Sequence, residues 1–412
     1  MSAQHDAAYD VLIIGARVAG ASLASLLGAL GHRVLLVDRE RFPSDTLSTH
    51  YMAPSAVPLL AELGVLGAVE QAGFRRLTRA HTWVADCLFA GPIAPPGGYA
   101  LAPRRDTLDA LLIERAVATG AVTLRTGARA IGPLWAGGRL AGATLRSGGV
   151  TSEVRARVVI GADGKHSAVA GWVGAACALA APPVGPSYYR YYRGLAPLDE
   201  PALEVAFSGP RTTLLFPMRP AEDCLVVALP PSDFAAFRAD PCAALDAHLR
   251  ALPHLAARLR GAVPVGPIRG TRGVANYVRE PYGPGWALVG DAACLKDPST
   301  GTGMADAIRQ AQGLAGALDA YLRGADWAVT MGAFRRRRDA ALLPSYHAAI
   351  AAASSPDIAE DALAWLRAAV ASPVGAYPLA TAMPAALRAA LPAAALERLA
   401  AAAAAFRPTA PS

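Results

Sequence analysis

With 412 residues, 53% hydrophobic and 17% charged, the chain has the apolar content for a large core and is not a disordered polyelectrolyte. Its formal net charge is +7, and 37 of its 39 basic residues are arginine, Lys165 and Lys296 being the two lysines. The arginines are dispersed except for Arg335, Arg336, Arg337 and Arg338, a run without interleaved aromatics. Nucleic acid is therefore not the expected partner, and the positive field favours a phosphate-bearing cofactor.

Cys87, Cys177, Cys224, Cys242 and Cys294 show neither disulfide nor zinc spacing, and no metal is expected. Residues 1–9 lack the basic-then-apolar pattern of a signal peptide. An uncharged candidate stretch, 368–387, is cut by Pro373, Pro378 and Pro384, so no membrane span is expected and the expected compartment is the cytoplasm.

In chain order, residues 11–14 predict a buried strand that stops at Gly15. Residues 19–30 predict a closely packed helix whose only polar side chains are Ser22 and Ser25, and 34–37 a second strand ending at Asp38. This β-α-β order is the minimal dinucleotide cradle, with a helix N-terminus to hold a pyrophosphate. Gly15 and Gly20 are the outer glycines of a G-x-G-x-x-G pattern whose middle position is Arg17. Its guanidinium either touches the diphosphate or points elsewhere. Asp38 stands where an acid meets the adenosine ribose hydroxyls.

A polar loop, 39–50, precedes a helix expected over 53–72 and broken at Gly64 and Gly67. Residues 78–100 predict strands around a Gly/Pro-rich turn. A helix opens at Arg104-Arg105 and runs to about Gly120, with Leu108, Leu111, Leu112 and Ala116 on its apolar face. Residues 121–157 predict a three-stranded meander, followed by a buried strand from 158 that ends in Gly161-Ala162-Asp163-Gly164. Between 175 and 268 the composition changes. Strands are expected at 203–207, 212–216 and 224–229 and a helix pair over 234–259, and Tyr188, Tyr189, Tyr191 and Tyr192 fall two to each face of a strand. Residues 286–289 form another strand stopping at Gly290-Asp291, and the Pro298 to Gly303 stretch opens a helix over 304–322. The tail from 345 is Ala-rich and Pro-interrupted, expected as packed helices without chemistry.

Taken together, Gly15 to Gly20 with Asp38, Arg104-Arg105 with Leu108-Asp109, the Asp163-Gly164 turn, and Gly290-Asp291 followed by Pro298, Gly301 and Gly303 resemble the class A flavoprotein monooxygenases. These are FAD-dependent aromatic hydroxylases, and the resemblance spans roughly residues 8–340. It implies an α/β fold: a Rossmann-like FAD-binding domain with an inserted antiparallel-sheet substrate domain and a helical C-terminal tail. The FAD-binding parts would be 1–80, 101–174 and 269–344. Residues 81–100 and 175–268 would form the substrate domain, and 345–412 the helical region.

FAD contacts are implied at Gly15, Ala16, Arg17, Val18, Ala19, Gly20, Asp38, Arg39, Thr49, Arg105, Asp163, Gly164, Gly290, Asp291, Pro298, Gly301, Thr302, Gly303 and Met304. Asp291 would accept hydrogen bonds from the ribityl hydroxyls, and the helix from Met304 would face the flavin N1/C2=O edge, where its dipole stabilises negative charge. His50, Tyr189, Tyr191 and Phe216 are the candidate substrate residues, His50 either as a proton relay or as a structural histidine. Cys294, where many members carry histidine, is either a small core residue or a redox thiol. No catalytic acid or base is visible, and the chemistry does not require one.

The implied reaction uses NAD(P)H as a transient electron donor and O2, and passes oxygen from a C4a-hydroperoxyflavin to an apolar or aromatic small molecule. A polyketide-like compound of secondary metabolism is the expected substrate. Two alternatives remain: an FAD-dependent reductase or dehydrogenase of the geranylgeranyl-reductase type, and a non-enzymatic flavin-binding protein. The Trp-x-Trp-x-Ile-Pro signature of flavin-dependent halogenases is absent.

Overall fold

An uninterrupted apolar strand needs cover on both faces, and the opening strand Tyr9–Ile14 has it. In the computed structural model, Val11 and Ile13 join one core, and Leu12 and Ile14 another, on opposite faces of the sheet. The structure describes residues 9–353 together with Ala364 and Arg367; the rest of the expected tail helices lie outside the described residues.

Tyr9–Ile14 pairs in parallel with Val34–Val37 on one side and with Val150–Gly161 on the other. The main sheet runs Tyr282–Gly283, Trp286–Leu288, Val150–Gly161, Tyr9–Ile14, Val34–Val37, Val122–Arg125. On one face the opening helix Val18–Ala29 packs against the arginine helix Arg105–Val117 and the central helix Gly303–Leu322. The other face is covered by a meander of Arg129–Ala136, Arg139–Ser147 and Val150–Gly161. The expected meander over 121–157 is thus shifted by one strand. Val122–Arg125 belongs to the parallel sheet, and the third meander strand continues into the buried one. No glycine or proline interrupts residues 150–160, so the chain has no reason to break there.

The second sheet runs Val263–Thr271, Ser187–Arg193, Glu222–Ala228, Arg211–Arg219, Ala202–Ser208, Arg79–Val84, Cys87–Pro92. It is mixed rather than purely antiparallel, because Ala202–Ser208 pairs in parallel with Arg79–Val84. No hairpin joins these two, so nothing local imposes an antiparallel sense. One face carries Tyr189, Tyr191, Phe216 and Cys224 into the core shared with the first sheet. The opposite face carries Tyr188, Tyr192, Leu215 and Leu225 under a helical layer.

That layer is three helices, Phe234–Ala239, Pro241–Arg250 and Pro253–Ala256, rather than the expected pair. Pro241 and Pro253 each start a new helix, because a residue without an N–H suits the first turn and not the interior. Residues 53–72 likewise divide into Val57–Glu62 and Leu66–Gln71, the break being at Gly64 with φ 73°, while Gly67 lies inside the second helix. Among the described residues no helix is long and apolar enough to cross a membrane.

The opening helix reaches the sheet through glycines. A Cβ on Gly20 would lie 1.8 Å from the Gly15 carbonyl oxygen, and one on Gly15 would lie 2.2 Å from that of Ala162. Both obstacles are backbone, so neither can swing aside. Gly20→Ala is expected to destabilise the chain by roughly 2 kcal/mol or more. Gly67→Ala meets no atom within 4 Å and is expected to stabilise it by about 0.5–1 kcal/mol. Denaturant unfolding of both variants against wild type measures the two signs.

Candidate cofactor-binding site

Several helices lack a side-chain cap at the N-terminus, the arginine helix among them, and two of these come together at Gly290. Neither Val18–Ala29 nor Gly303–Leu322 has a side-chain cap, whereas Ala168–Trp172 is capped by Ser167 and Pro241–Arg250 by Asp240. An uncapped N-terminus leaves N–H groups and the positive dipole end available to an anion. Gly290 stands between the two helices. A Cβ there would be 2.7 Å from the Cβ of Ala19 and 3.8 Å from that of Ala307. The Gly15 turn and the Gly301 loop therefore approach each other around Gly290-Asp291.

Asp291 is exposed, and its carboxylate has no hydrogen-bond partner among the described residues. Protein atoms crowded around its carboxyl partly desolvate it and raise its pKa, although solvent still reaches it, while Arg105 and Lys165 pull in the opposite direction. A carboxylate reachable by solvent, unpartnered and flanked by cations is an acceptor for hydroxyl donors. Beyond it, Gly301 has φ 66°, and a Cβ there would come within 2.8 Å of the Tyr51 ring. Gly303 is exposed and a Cβ on it would meet nothing within 4 Å, so the backbone here fronts open space. Thr302 bonds Thr300 and Ser345 through its hydroxyl, and Met304 Sδ accepts from Ser48 Oγ at 4.0 Å. Pro298 opens the preceding turn, behind Asp297, whose carboxylate accepts from the Ser299 N–H at 3.0 Å.

At the other end Arg17 keeps the extended backbone that precedes the opening helix and turns its guanidinium aside. It donates to Asp109 Oδ2 at 2.8 Å and to Ser44. Arg105 grips the same carboxylate with two nitrogens, at 3.0 and 3.1 Å. Asp109 is completely buried, so two guanidiniums offset one carboxylate and leave a net positive charge beside the opening helix. Asp38 accepts the Ala16 N–H at 2.8 Å and the Glu40 N–H at 2.8 Å, holding the turn before the helix. Arg39 is exposed and pairs with Glu40. Asp163 accepts the N–H groups of Ala168 and Val169 and the Ser167 hydroxyl, so its carboxylate anchors a short helix, while Gly164 turns away with φ 77°.

The four candidate substrate residues close over one another. His50, fully buried with φ 60°, meets the Tyr191 hydroxyl at 2.7 Å through Nε2, and its ring is edge-on to Tyr189. Tyr191 in turn donates to Asp45 at 3.4 Å, with Arg104 over its ring. Phe216 faces Tyr51. Burial, aided by Arg105, Arg104 and Arg269, pushes the His50 pKa down to about 3, and burial keeps both phenols protonated. Cys294 is buried beside Val278, Leu342 and Tyr346, and burial pushes its thiol up to about 12, so it behaves as a core residue. Thr49, in the same loop as His50, is half-buried.

Sequence reasoning missed Asp45, Ser48, Tyr51 and the double role of Asp109. Only the Arg105–Asp109 spacing of four was a signal, because Arg17 lies 92 residues away.

Residues 8–186 match the family model described as an FAD binding domain. A 166-residue stretch is 34% identical to 6-methylpretetramide 4-monooxygenase of Streptomyces rimosus, covering 39% of each chain. A 181-residue stretch is 31% identical to digeranylgeranylglycerophospholipid reductase of Methanospirillum hungatei, covering 40% of each. The chain thus spans two fifths of the length of these relatives. The myxobacterial chondrochloren halogenase CndH, an FAD-dependent halogenase, shares the fold with a TM-score of 0.76 at 21% identity over 98% of both chains. The sequence resemblance to flavoprotein monooxygenases and the FAD-binding fold are borne out.

His50 is neutral in the fold but protonates below pH 6.5 once unfolded. Its folded pKa is depressed, so its contribution is full above about pH 6.5 and is lost as pH falls toward 3. His50→Gln should therefore flatten the fall in Tm between pH 6.5 and 4, read by thermal melts. A residual slope is expected from His248 and His254, both pushed down to about 4 by burial.

Proposed function

We propose that this chain, whose residues 8–186 form an FAD-binding domain, is an FAD-dependent monooxygenase. It takes electrons from NAD(P)H and oxygen from O2 to hydroxylate or epoxidise an apolar or aromatic small molecule. The observation that carries the reading is the meeting of two uncapped helix N-termini at Gly290, with Asp291 free between them. Two such ends, with a free carboxylate between them, suit an extended ligand with a diphosphate at one end and an electron-accepting ring at the other.

In this reading the diphosphate lies on the N–H groups from Val18 to Gly20, in the positive field of Arg17, Arg105 and Asp109. Each Asp38 oxygen already holds one backbone N–H and keeps a second acceptor direction for a ribose hydroxyl. Asp291 takes the ribityl hydroxyls, and the backbone of Gly301, Thr302, Gly303 and Met304 faces the ring. The flavin supplies the redox chemistry; the chain binds it, orients it and shields it from water. His50, neutral and bonded to Tyr191, acts as a structural brace between the loop 45–51 and the second sheet. The division into FAD-binding parts and a 175–268 substrate domain, and a cytoplasmic setting, belong to the same proposal.

The substrate class is a polyketide-like aromatic, in keeping with a relative named for 6-methylpretetramide. The relative named as a digeranylgeranylglycerophospholipid reductase favours the second reading, an FAD-dependent reductase. Turnover under labelled O2 separates them: label in the product supports oxygen transfer, and a saturated or desaturated product without label overturns it. An absorption spectrum of the purified protein comes first, since a colourless chain that FAD does not reconstitute would overturn both. Asp291→Ala is expected to weaken FAD retention about tenfold, the effect of one or two lost hydrogen bonds, with an unchanged circular dichroism spectrum. Fluorescence titration of released FAD measures it.

A further inference from the structure

Only two lysines occur in the chain, and one of them, Lys296, is buried. Its ammonium group donates to Asp306 and to the Ser345 hydroxyl. Ser345 also donates to Asp306 at 3.2 Å and meets Thr302 Oγ1 at 3.2 Å. Asp306 lies in the first turn of the central helix, and its N–H donates to the Thr302 carbonyl at 2.9 Å. Arg309, half exposed, approaches the other Asp306 oxygen at 3.7 Å. Ser345 lies in the helix Trp327–Ala353, so this network ties that helix to the turn that opens the central one.

The network is also close to the cofactor cleft. A cavity of about 30 Å³ has Lys296, Asp306, Asp291 and Gly303 together in its lining. The buried Oε1 of Gln310, another lining residue, has no hydrogen-bond partner among the described residues, so the cavity is polar. A charge there is poorly screened, because the surroundings respond less than bulk water does. Burying a lysine costs desolvation that an apolar residue avoids, and the fold accepts that cost beside Asp291 and Gly303.

We propose that Lys296 and Asp306 form a charge pair that tunes the reduction potential of the bound flavin, with Ser345 and Thr302 holding the pair against the central helix. The proposal rests on the FAD reading given above. Reduced flavin carries more negative charge than oxidised flavin, so a nearby cation stabilises the reduced form and a nearby anion destabilises it. Lys296 and Asp306 act through the field and through the helix turn, and both are positioning residues.

The test is the midpoint potential of FAD bound to the full chain, measured by dye-coupled reduction. Lys296→Met leaves Asp306 with only the half-exposed Arg309 as counter-charge, and the reduced-to-oxidised ratio at a fixed ambient potential should fall about tenfold, about 30 mV for a two-electron couple. Asp306→Asn, nearly the same shape, should raise that ratio by a similar factor, and the double variant should return to within about threefold of wild type. Opposite signs support the proposal, because a purely structural role would weaken FAD binding in both variants without reversing sign. Shifts of one sign in both, or no shift with FAD bound, overturn it. If Lys296→Met does not fold, the sign of the Asp306→Asn shift decides. A wild-type chain that binds no FAD defeats the cofactor reading itself, and the tuning pair with it.

Discussion

Close approach of the opening helix, the central helix and the Gly290-Asp291 turn is the constraint on which the arrangement depends. Gly290 lets its turn reach Ala19 and Ala307 of the two helices, while Gly20 and Gly15 let the opening helix close on its own turn and that turn on Ala162. The consequence is electrostatic. Two open N-termini face one region, and each carries a partial positive charge. The chain places Asp291 between them, and leaves its carboxylate unpartnered at the mouth of the site.

Charge balance around that region is managed by burial. Arg17 replaces a glycine in the phosphate-binding pattern, and it is accommodated because its guanidinium swings away to Asp109. A completely buried carboxylate needs paired cations, and Arg17 and Arg105 supply them from chain positions far apart. The same contacts lock the arginine helix against the turn of the opening helix. A positive remainder is left beside the N-terminus of the opening helix.

The second sheet is attached through an aromatic and polar seam rather than by apolar packing alone. His50 and Tyr191 join the loop after the second strand to the sheet, with Asp45, Arg104 and Arg269 around them. Tyr51 continues the seam, touching Gly301 on one side and Phe216 on the other. The Gly301 loop and the second sheet are therefore coupled through one loop, residues 45–51.

Much of the architecture was determined by the sequence itself. Continuous apolar runs at 11–14, 34–37 and 158–161 can only be strands covered on both faces. Period-two alternation separates Tyr189 and Tyr191 from Tyr188 and Tyr192, and the glycines and acids at the strand ends mark the cleft. These are local properties, set by side-chain size, periodicity and backbone freedom within a few residues. Tertiary structure alone decided that Arg17 turns to Asp109, that Asp163 anchors a short helix, that Ala202–Ser208 pairs in parallel with Arg79–Val84, and that Lys296 is buried beside Asp306. Each of these depends on which group from a distant part of the chain arrives within hydrogen-bonding reach, and no pattern confined to neighbouring residues encodes it.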